Sequence, residues 1–257
     1  MTLSPAKIWS SLPTHARTAI FLVACLSVVF DVYEVTAVLA RKVAPAAPAE
    51  NETQLLEISN TEISKGDTSK KQVIFTFDAG GGASSADQIL NVLAKHRVTG
   101  TFFMTGKFVE ANPDLVRRIV AAGHEVFNHT YDHKDLTTLS DADISDELQK
   151  MDMALQKVAH ITSSPYFRPP YGARDSRVIN AAFDTGYQPI YWTVDARDWM
   201  EPNITADEVK NRILSNVAPG TIYLMHVGDT ITGAILDEVF STIESRGYKI
   251  VSLRQGM

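Results

Sequence analysis

The chain predicts an α/β domain in which parallel strands alternate with crossover helices. Short apolar runs rich in β-branched and aromatic residues recur from Gln72 onward. Stretches of helical spacing separate them, several closed by a glycine such as Gly123, Gly186 or Gly247. No internal sequence repeat interrupts the alternation. About seven strand–helix pairs in roughly 185 residues make a compact barrel, with a doubly wound sheet as the alternative.

The elements follow in order. Val73-Ile74-Phe75-Thr76-Phe77 reads as a buried strand, and Ile89, Leu90, Val92, Leu93 and His96 then recur at helical spacing behind Ser84-Ser85, whose hydroxyls suit an N-cap. Thr99 to Met104 is the second strand, Pro113 to Ala122 a helix, and His124 to Phe127 the third strand. A long helix starts near Ser140, where Ser140 and Asp143 approximate a capping box, and runs to about His160. Tyr166-Phe167-Arg168 is a short strand, Asp175 to Thr185 a helix, Gln188 to Val194 a strand and Ala206 to Val217 a helix. Thr221 to Met225, a helix over Gly233 to Ser245, and a last strand from Lys249 to Leu253 complete the domain.

Ahead of it the chain changes character. Residues 1–17 form a tail. Thr18 to Phe30 is uncharged, as long as a signal-peptide core and short for a membrane span; extending it to Ala40 reaches spanning length but takes in Asp31 and Glu34. Residues 18–40 are therefore expected to be a signal anchor, with a cleaved signal peptide second and a buried core helix third. Residues 41–71, Ala/Pro-rich and then polar, read as a semi-extended linker, leaving 72–257 as the folded domain.

Bulk properties narrow the chemistry. A formal net charge of −6 and the absence of any Lys/Arg-rich run argue against a nucleic-acid partner. The single cysteine rules out an intramolecular disulfide framework or a cysteine-built zinc site, so any metal must use nitrogen and oxygen ligands.

Such ligands stand where strands end, the edge at which α/β folds place their sites. Asp78 follows the first strand, and His129 and His133 follow the third, four residues apart. Arg168 follows the fourth, Asp195 and Asp198 with Trp199 the next, and His226 follows Leu224-Met225. Taken singly, each has a plainer reading. His-x-x-x-His alone is a weak metal signal, Asp78 could cap a turn, Arg168 and Asp198 could form a structural ion pair, and His226 could be a satisfied core histidine. Asp195 reads as structural, Trp192 and Trp199 as packing residues or sugar-facing platforms. The histidines at 15, 96, 124 and 160 have no partners legible in the sequence.

Five segments, TFDAG at 76–80, NHTYDH at 128–133, RPPYG at 168–172, DARDW at 195–199 and LMH at 224–226, resemble in order the motifs of the polysaccharide deacetylases, carbohydrate esterase family 4 or the NodB-homology domain. The resemblance spans Gln72 to Leu253 and implies a distorted (β/α) barrel that removes N-acetyl groups from amino sugars with the help of a metal. It implies a divalent cation on His129 and His133, zinc first, with cobalt, manganese or nickel as alternatives. Asp78 would be the general base, held by Arg168, and His226 the general acid, kept protonated by Asp198. The Tyr171 backbone N–H would join the oxyanion site, Leu224 would line an acetyl pocket, and Tyr171 and Trp199 would face the glycan. Hydrolysis of an amide needs this set: a water, a base, oxyanion stabilisation and an acid for the departing amine.

One position departs from the pattern. The family usually carries a second aspartate after the base, as the third metal ligand; here Ala79 stands there, and its methyl cannot coordinate. The expected function is N-deacetylation of a cell-wall glycan, peptidoglycan first, by a membrane-anchored, extracytoplasmic monomer, or a secreted one if the N-terminal segment is cleaved. A catalytically silent glycan-binding protein and an O-acetyl esterase are the alternatives.

Overall fold

The computed structural model describes residues 62–257 together with Pro13. The expected tail, the signal anchor and the linker up to residue 61 lie outside the described residues. Among those described, no helix is long and apolar enough to cross a membrane.

Eight strands form one sheet: β1 (Gln72–Ala79), β2 (Thr101–Met104), β3 (Glu125–Asn128), β4 (Tyr166–Phe167), β5 (Gln188–Pro189), β6 (Val194–Asp195), β7 (Thr221–His226) and β8 (Lys249–Val251). Their order is β5-β4-β3-β2-β1-β7-β6, with β8 beside the first half of β1, and every pairing is parallel. The sheet curls into the expected distorted (β/α) barrel. Crossovers are made by α1 (Ala86–His96), α2 (Gly106–Ala111), α3 (Pro113–Ala121), α4 (Asp141–Ala159), α5 (Ser176–Asp184), α6 (Ala206–Leu214) and α7 (Thr230–Ser245), and a short α8 (Leu253–Gly256) follows the last strand.

Side chains of β1 sort by parity, as a strand's period of two requires. Val73, Phe75, Phe77 and Ala79 join the apolar layer that also holds Ile89, Leu93, Phe108, Val239 and Phe240 of the helices. Ile74 joins a second cluster with Phe103, Phe127, Tyr166, Ile190 and Ile222. Thr76 and Asp78 are the buried polar residues of that same alternate face. Phe75 stacks on Tyr223 at 4.6 Å and meets Phe240 edge-on at 4.8 Å. Burying each such ring contributes about 1.5–3 kcal/mol.

Among the described residues the expected strands and helices appear, with four local differences. The single strand expected over Gln188 to Val194 is two short ones: Ile190 N–H still donates to Phe167 O and Thr193 N–H to Ile222 O, but between them Tyr191 N–H turns to another segment, described next. Helix α2 was not expected: it is only six residues long, too short for periodicity to show, and starts on the Thr105 hydroxyl, which accepts from Phe108 N–H at 3.1 Å. The last strand stops at Val251, where Ser252 and Gln255 form a capping box that starts α8. The long helix begins as expected, with Ser140 accepting from Asp143 N–H, and ends at His160 in a left-handed C-cap.

The fourth difference is the domain's beginning. Residues 62–66, assigned by composition to the linker, are packed as a strap bridging β5 to β7. Ile63 N–H donates to Pro189 O (3.0 Å) and Ile63 O accepts from Tyr191 N–H (2.7 Å). Ser64 O accepts from the Thr193 hydroxyl (2.6 Å), and Gly66 N–H donates to Gly220 O (2.8 Å). Gly66 must be glycine, since a Cβ there would lie 2.5 Å from Gly256 O. Polarity hid this strap from the sequence reading; long-range backbone pairing creates it.

Candidate active site

Because all strands run parallel, their carboxyl ends share one edge, and a cavity of about 560 Å³ opens there. Asp78, His129, His133, Tyr171, Trp199, Leu224 and His226 line it, with Trp192 and Asp195 on its wall. Arg168 and Asp198 stand behind, both fully buried. The residues singled out from five separate strand ends therefore converge on one cavity and its backing.

Asp78 is 6% exposed, near the end of β1. Its Oδ1 accepts from Arg168 Nη1 at 2.6 Å. Burial raises the carboxyl's pKa, but the Arg168 guanidinium first, with its hydrogen bond, and the His226 imidazolium outweigh it and hold Asp78 below its ordinary value. Arg168 is itself fixed from four sides: Nη1 also donates to the Thr76 hydroxyl (2.9 Å), Nε to Ile190 O (3.4 Å) and Nη2 to Tyr191 O (3.3 Å), over the Phe103 ring at 4.2 Å. No Arg168–Asp198 pair forms; each finds a different partner.

His129 is also buried. Its Nδ1 donates to Arg168 O at 2.8 Å, which leaves the lone pair on Nε2, 3.5 Å from Asp78 Oδ2. Burial pushes its pKa down to about 4, so the ring is neutral near pH 7. His133 is likewise lowered by burial. The two rings lie 4.9 Å apart, though not through helical spacing: the segment is irregular, with Thr130 and His133 at left-handed φ of 66° and 57°. Glu147 of α4, 3% exposed, accepts from Tyr131 N–H (3.0 Å) and Asp132 N–H (2.7 Å) and takes Lys134 Nζ at 2.8 Å. Asn128 Oδ1 accepts from Thr130 N–H at 2.8 Å, and Gly106 lets the Tyr131 ring pass where a Cβ would sit 2.2 Å from it. Glu147 had no signal in the sequence, since a mid-helix glutamate is ordinarily solvated.

On the far side, His226 Nδ1 donates to Asp198 Oδ1 at 2.9 Å, and Asp198 Oδ2 accepts from His226 N–H at 2.7 Å and from the Thr232 hydroxyl. Trp199 N–H adds a further donor to Oδ1 at 3.1 Å. Burial alone would depress the His226 pKa; the Asp198 hydrogen bond and charge overcome it and lift the value to about 9. Asp198, His226 and Asp229 bring ligand-type atoms within 4.8 Å of one another. Four donors already reach the Asp198 oxygens, however, so in this arrangement the carboxylate serves as a brace for His226.

Tyr171 is 72% exposed and held at φ 58°. Gly172 and Ala173 N–H close the turn onto Pro169 and Pro170 carbonyls at 3.1 and 3.0 Å. Trp199, half exposed, donates its indole N–H to Asp195 (3.2 Å), so Asp195 orients a rim tryptophan. Ala79 is 1% exposed within the helix-side apolar layer and does not line the cavity. Of the histidines without legible partners, His96 bridges Asp237 and Glu244 at 2.9 Å each, and His124 Nδ1 accepts from Gly100 N–H at 3.1 Å.

Can this set hold a divalent metal? The His129 tautomer turns a neutral nitrogen toward a carboxylate oxygen, two acceptors facing each other with no proton between them, and His133 stands alongside. That donor chemistry fits a borderline cation, with one anionic ligand fewer than usual.

Residues 65–190 match the polysaccharide deacetylase family. The chain is 34% identical over 189 residues to the peptidoglycan-N-acetylmuramic acid deacetylase PdaA of Bacillus subtilis, covering 73% of this chain and 72% of that protein. It is 34% identical over 201 residues to a chitooligosaccharide deacetylase of Sinorhizobium fredii, covering 73% and 93%. Among solved structures, a carbohydrate esterase family 4 pseudoenzyme from Bacillus anthracis superposes with a TM-score of 0.73 at 33% identity, covering 78% of this chain and 70% of that one. A mutant of that pseudoenzyme has restored enzymatic activity.

Proposed function

The chain belongs to the polysaccharide deacetylase family, and from that premise we propose that it hydrolyses N-acetyl groups of an amino-sugar polymer, peptidoglycan first. One observation carries the reading: a carboxylate bonded to a buried arginine and an imidazole bonded to a buried carboxylate face the same cavity.

His129 and His133 would hold a divalent cation, zinc first, which supplies Lewis-acid polarisation of the acetyl carbonyl and lowers the pKa of a water. Asp78, anchored through Oδ1 by Arg168 and lining the cavity, takes the proton of the attacking water. The Tyr171 N–H, presented by the left-handed turn, faces the developing oxyanion. His226 donates its proton to the departing amine, with Asp198 stabilising the imidazolium before that transfer. Leu224 accommodates the acetyl methyl, while Tyr171 and Trp199 flank the sugar. Residues 18–40 and the spacer behind them would hold a monomeric domain outside the cytoplasmic membrane.

Acetate release from N-acetylated peptidoglycan and chitooligosaccharides, lost in Asp78→Asn and in His226→Ala, tests the reading. Glycan binding without acetate release, even with added Zn²⁺, Co²⁺ or Mn²⁺, would instead identify a silent binding protein; Ala79 and the pseudoenzyme likeness favour that second reading. Acetate from O-acetyl esters alone would point to an esterase.

A further inference from the structure

The cavity wall contains a stack that the chemistry above does not use. Trp192 lines the cavity and lies on Tyr191 with ring centroids 3.8 Å apart and planes 16° from parallel. Behind Tyr191 the Arg174 guanidinium sits 3.5 Å from the ring centroid. Glu62 grips that guanidinium with both carboxylate oxygens, Oε1 accepting from Nη2 at 2.8 Å and Oε2 from Nε. Arg174 Nη1 also donates to Gly172 O at 3.0 Å, on the turn that presents Tyr171. The layers thus run Trp192, Tyr191, Arg174, Glu62, from cavity to strap.

Two features make this more than surface pairing. Glu62 and Arg174 side chains are only 19% and 26% exposed, and the Tyr191 backbone is held at both ends, its N–H by Ile63 O and its carbonyl by Arg168 Nη2. Gly172 is packed so closely that a Cβ would lie 2.7 Å from Trp192 and 2.8 Å from Tyr191. A planar cation over one face of an aromatic pair fixes the pair's tilt, because both rings lose dispersion and cation–π attraction when they rotate.

We propose that Glu62 and Arg174 are positioning residues for the substrate wall. Resting on the deacetylase reading, this assigns Trp192 as a sugar platform whose plane is set from the strap, so that residues upstream of the expected domain boundary belong to the binding site. Neither residue touches the reacting atoms, and the effect falls on substrate affinity.

The test uses the full chain carrying Arg174→Ala, Glu62→Gln or Arg174→Lys, with tetra-N-acetylchitotetraose as the probe. Arg174→Ala is expected to raise KM about fivefold or more and to leave kcat within about twofold, the signature of lost ground-state binding. Glu62→Gln is expected to fall between wild type and Arg174→Ala, and Arg174→Lys to rescue little, since an ammonium lacks the planar fork. Unchanged KM in Arg174→Ala, or a kcat that falls in step with thermal stability, overturns the proposal. A second measurement is independent of catalysis: acrylamide quenching of Trp192 with Trp9 and Trp199 replaced by Phe. Quenching that rises at least about twofold on Arg174→Ala supports the clamp, and unchanged quenching overturns it. Absence of acetate from wild type together with increased quenching would defeat the deacetylase reading while leaving the clamp standing.

Discussion

The imidazole Nδ1 of His226 lies 2.9 Å from Oδ1 of Asp198, and the same carboxylate takes the His226 backbone N–H at 2.7 Å. One residue thereby fixes both the charge and the place of the other. The folded pKa, about 9, exceeds the ordinary 6.5, so the stability this contributes is present in full below about 6.5 and is lost as pH rises through about 9. Asp198→Asn should lower the His226 pKa and move the alkaline limb of the activity profile toward neutral pH. NMR titration of His226 beside a pH–rate profile checks this; an unmoved limb would mean that His226 is not the acid.

Asp78 behaves in the opposite sense. Its folded pKa lies below the ordinary 3.8, so its stabilising contribution is present above that value and is lost as pH falls through the folded one. Asp78→Asn should reduce acetate release by about 10²–10⁴-fold. It should also leave the fully buried Arg168 without its counter-charge, at a cost of about 3–5 kcal/mol. Urea unfolding at pH 7 measures that loss, and a stability unchanged within error would contradict the coupling.

The two imidazoles predict metal dependence. Isothermal titration with Zn²⁺ should show binding to the intact chain, weakened at least about 10-fold by His129→Gln or His133→Gln, and a chelator should suppress acetate release. Finding no bound divalent ion and activity indifferent to chelator would sink the two-histidine site.

Glu147→Ala should be costly for a residue remote from the chemistry. It strips acceptors from the Tyr131 and Asp132 N–H groups, at about 1–3 kcal/mol for each buried donor left unpaired. The loop carrying His133 should loosen with it, so zinc affinity and melting temperature are expected to fall together. A variant that loses stability but keeps full zinc affinity would separate the loop's anchor from the metal site.

Tyr171→Gly isolates the rim from the turn. Glycine accepts φ 58° without strain, offsetting its greater unfolded-state freedom, so stability should stay within about 1 kcal/mol. The backbone N–H survives while the 72% exposed ring is lost, so KM should rise and kcat should hold within a few-fold. A collapse of kcat would show that the ring, rather than the amide, serves the reaction.

Much of this was legible before folding. Strand runs such as Val73–Phe77 and caps such as Ser140 are local signals, and parallel strands commit their carboxyl ends to one edge. That is why Asp78, His129, Arg168 and His226 could be named together. Other features depend on contacts far apart in sequence. Gln188–Val194 reads as one strand by composition but divides where the strap of residues 62–66 enters, 127 positions from Pro189 to Glu62. Glu147 looks like an ordinary helix glutamate until the loop after Asn128 folds over it.

The sequence by itself determined the alternation of strands and helices, the residue types at their ends, and the missing carboxylate at Ala79. The pairings of Arg168 with Asp78 and of Asp198 with His226, which the family resemblance implied, are made in the tertiary structure, and only there does Glu62 meet Arg174. The tertiary structure also decided their charges, because a pKa answers to burial and neighbouring charge, which chain order does not contain. Ala79 shows both halves at once. Its identity was plain in the sequence, while its place in the helix-side layer, away from the cavity, came from the packing of β1 against the helices.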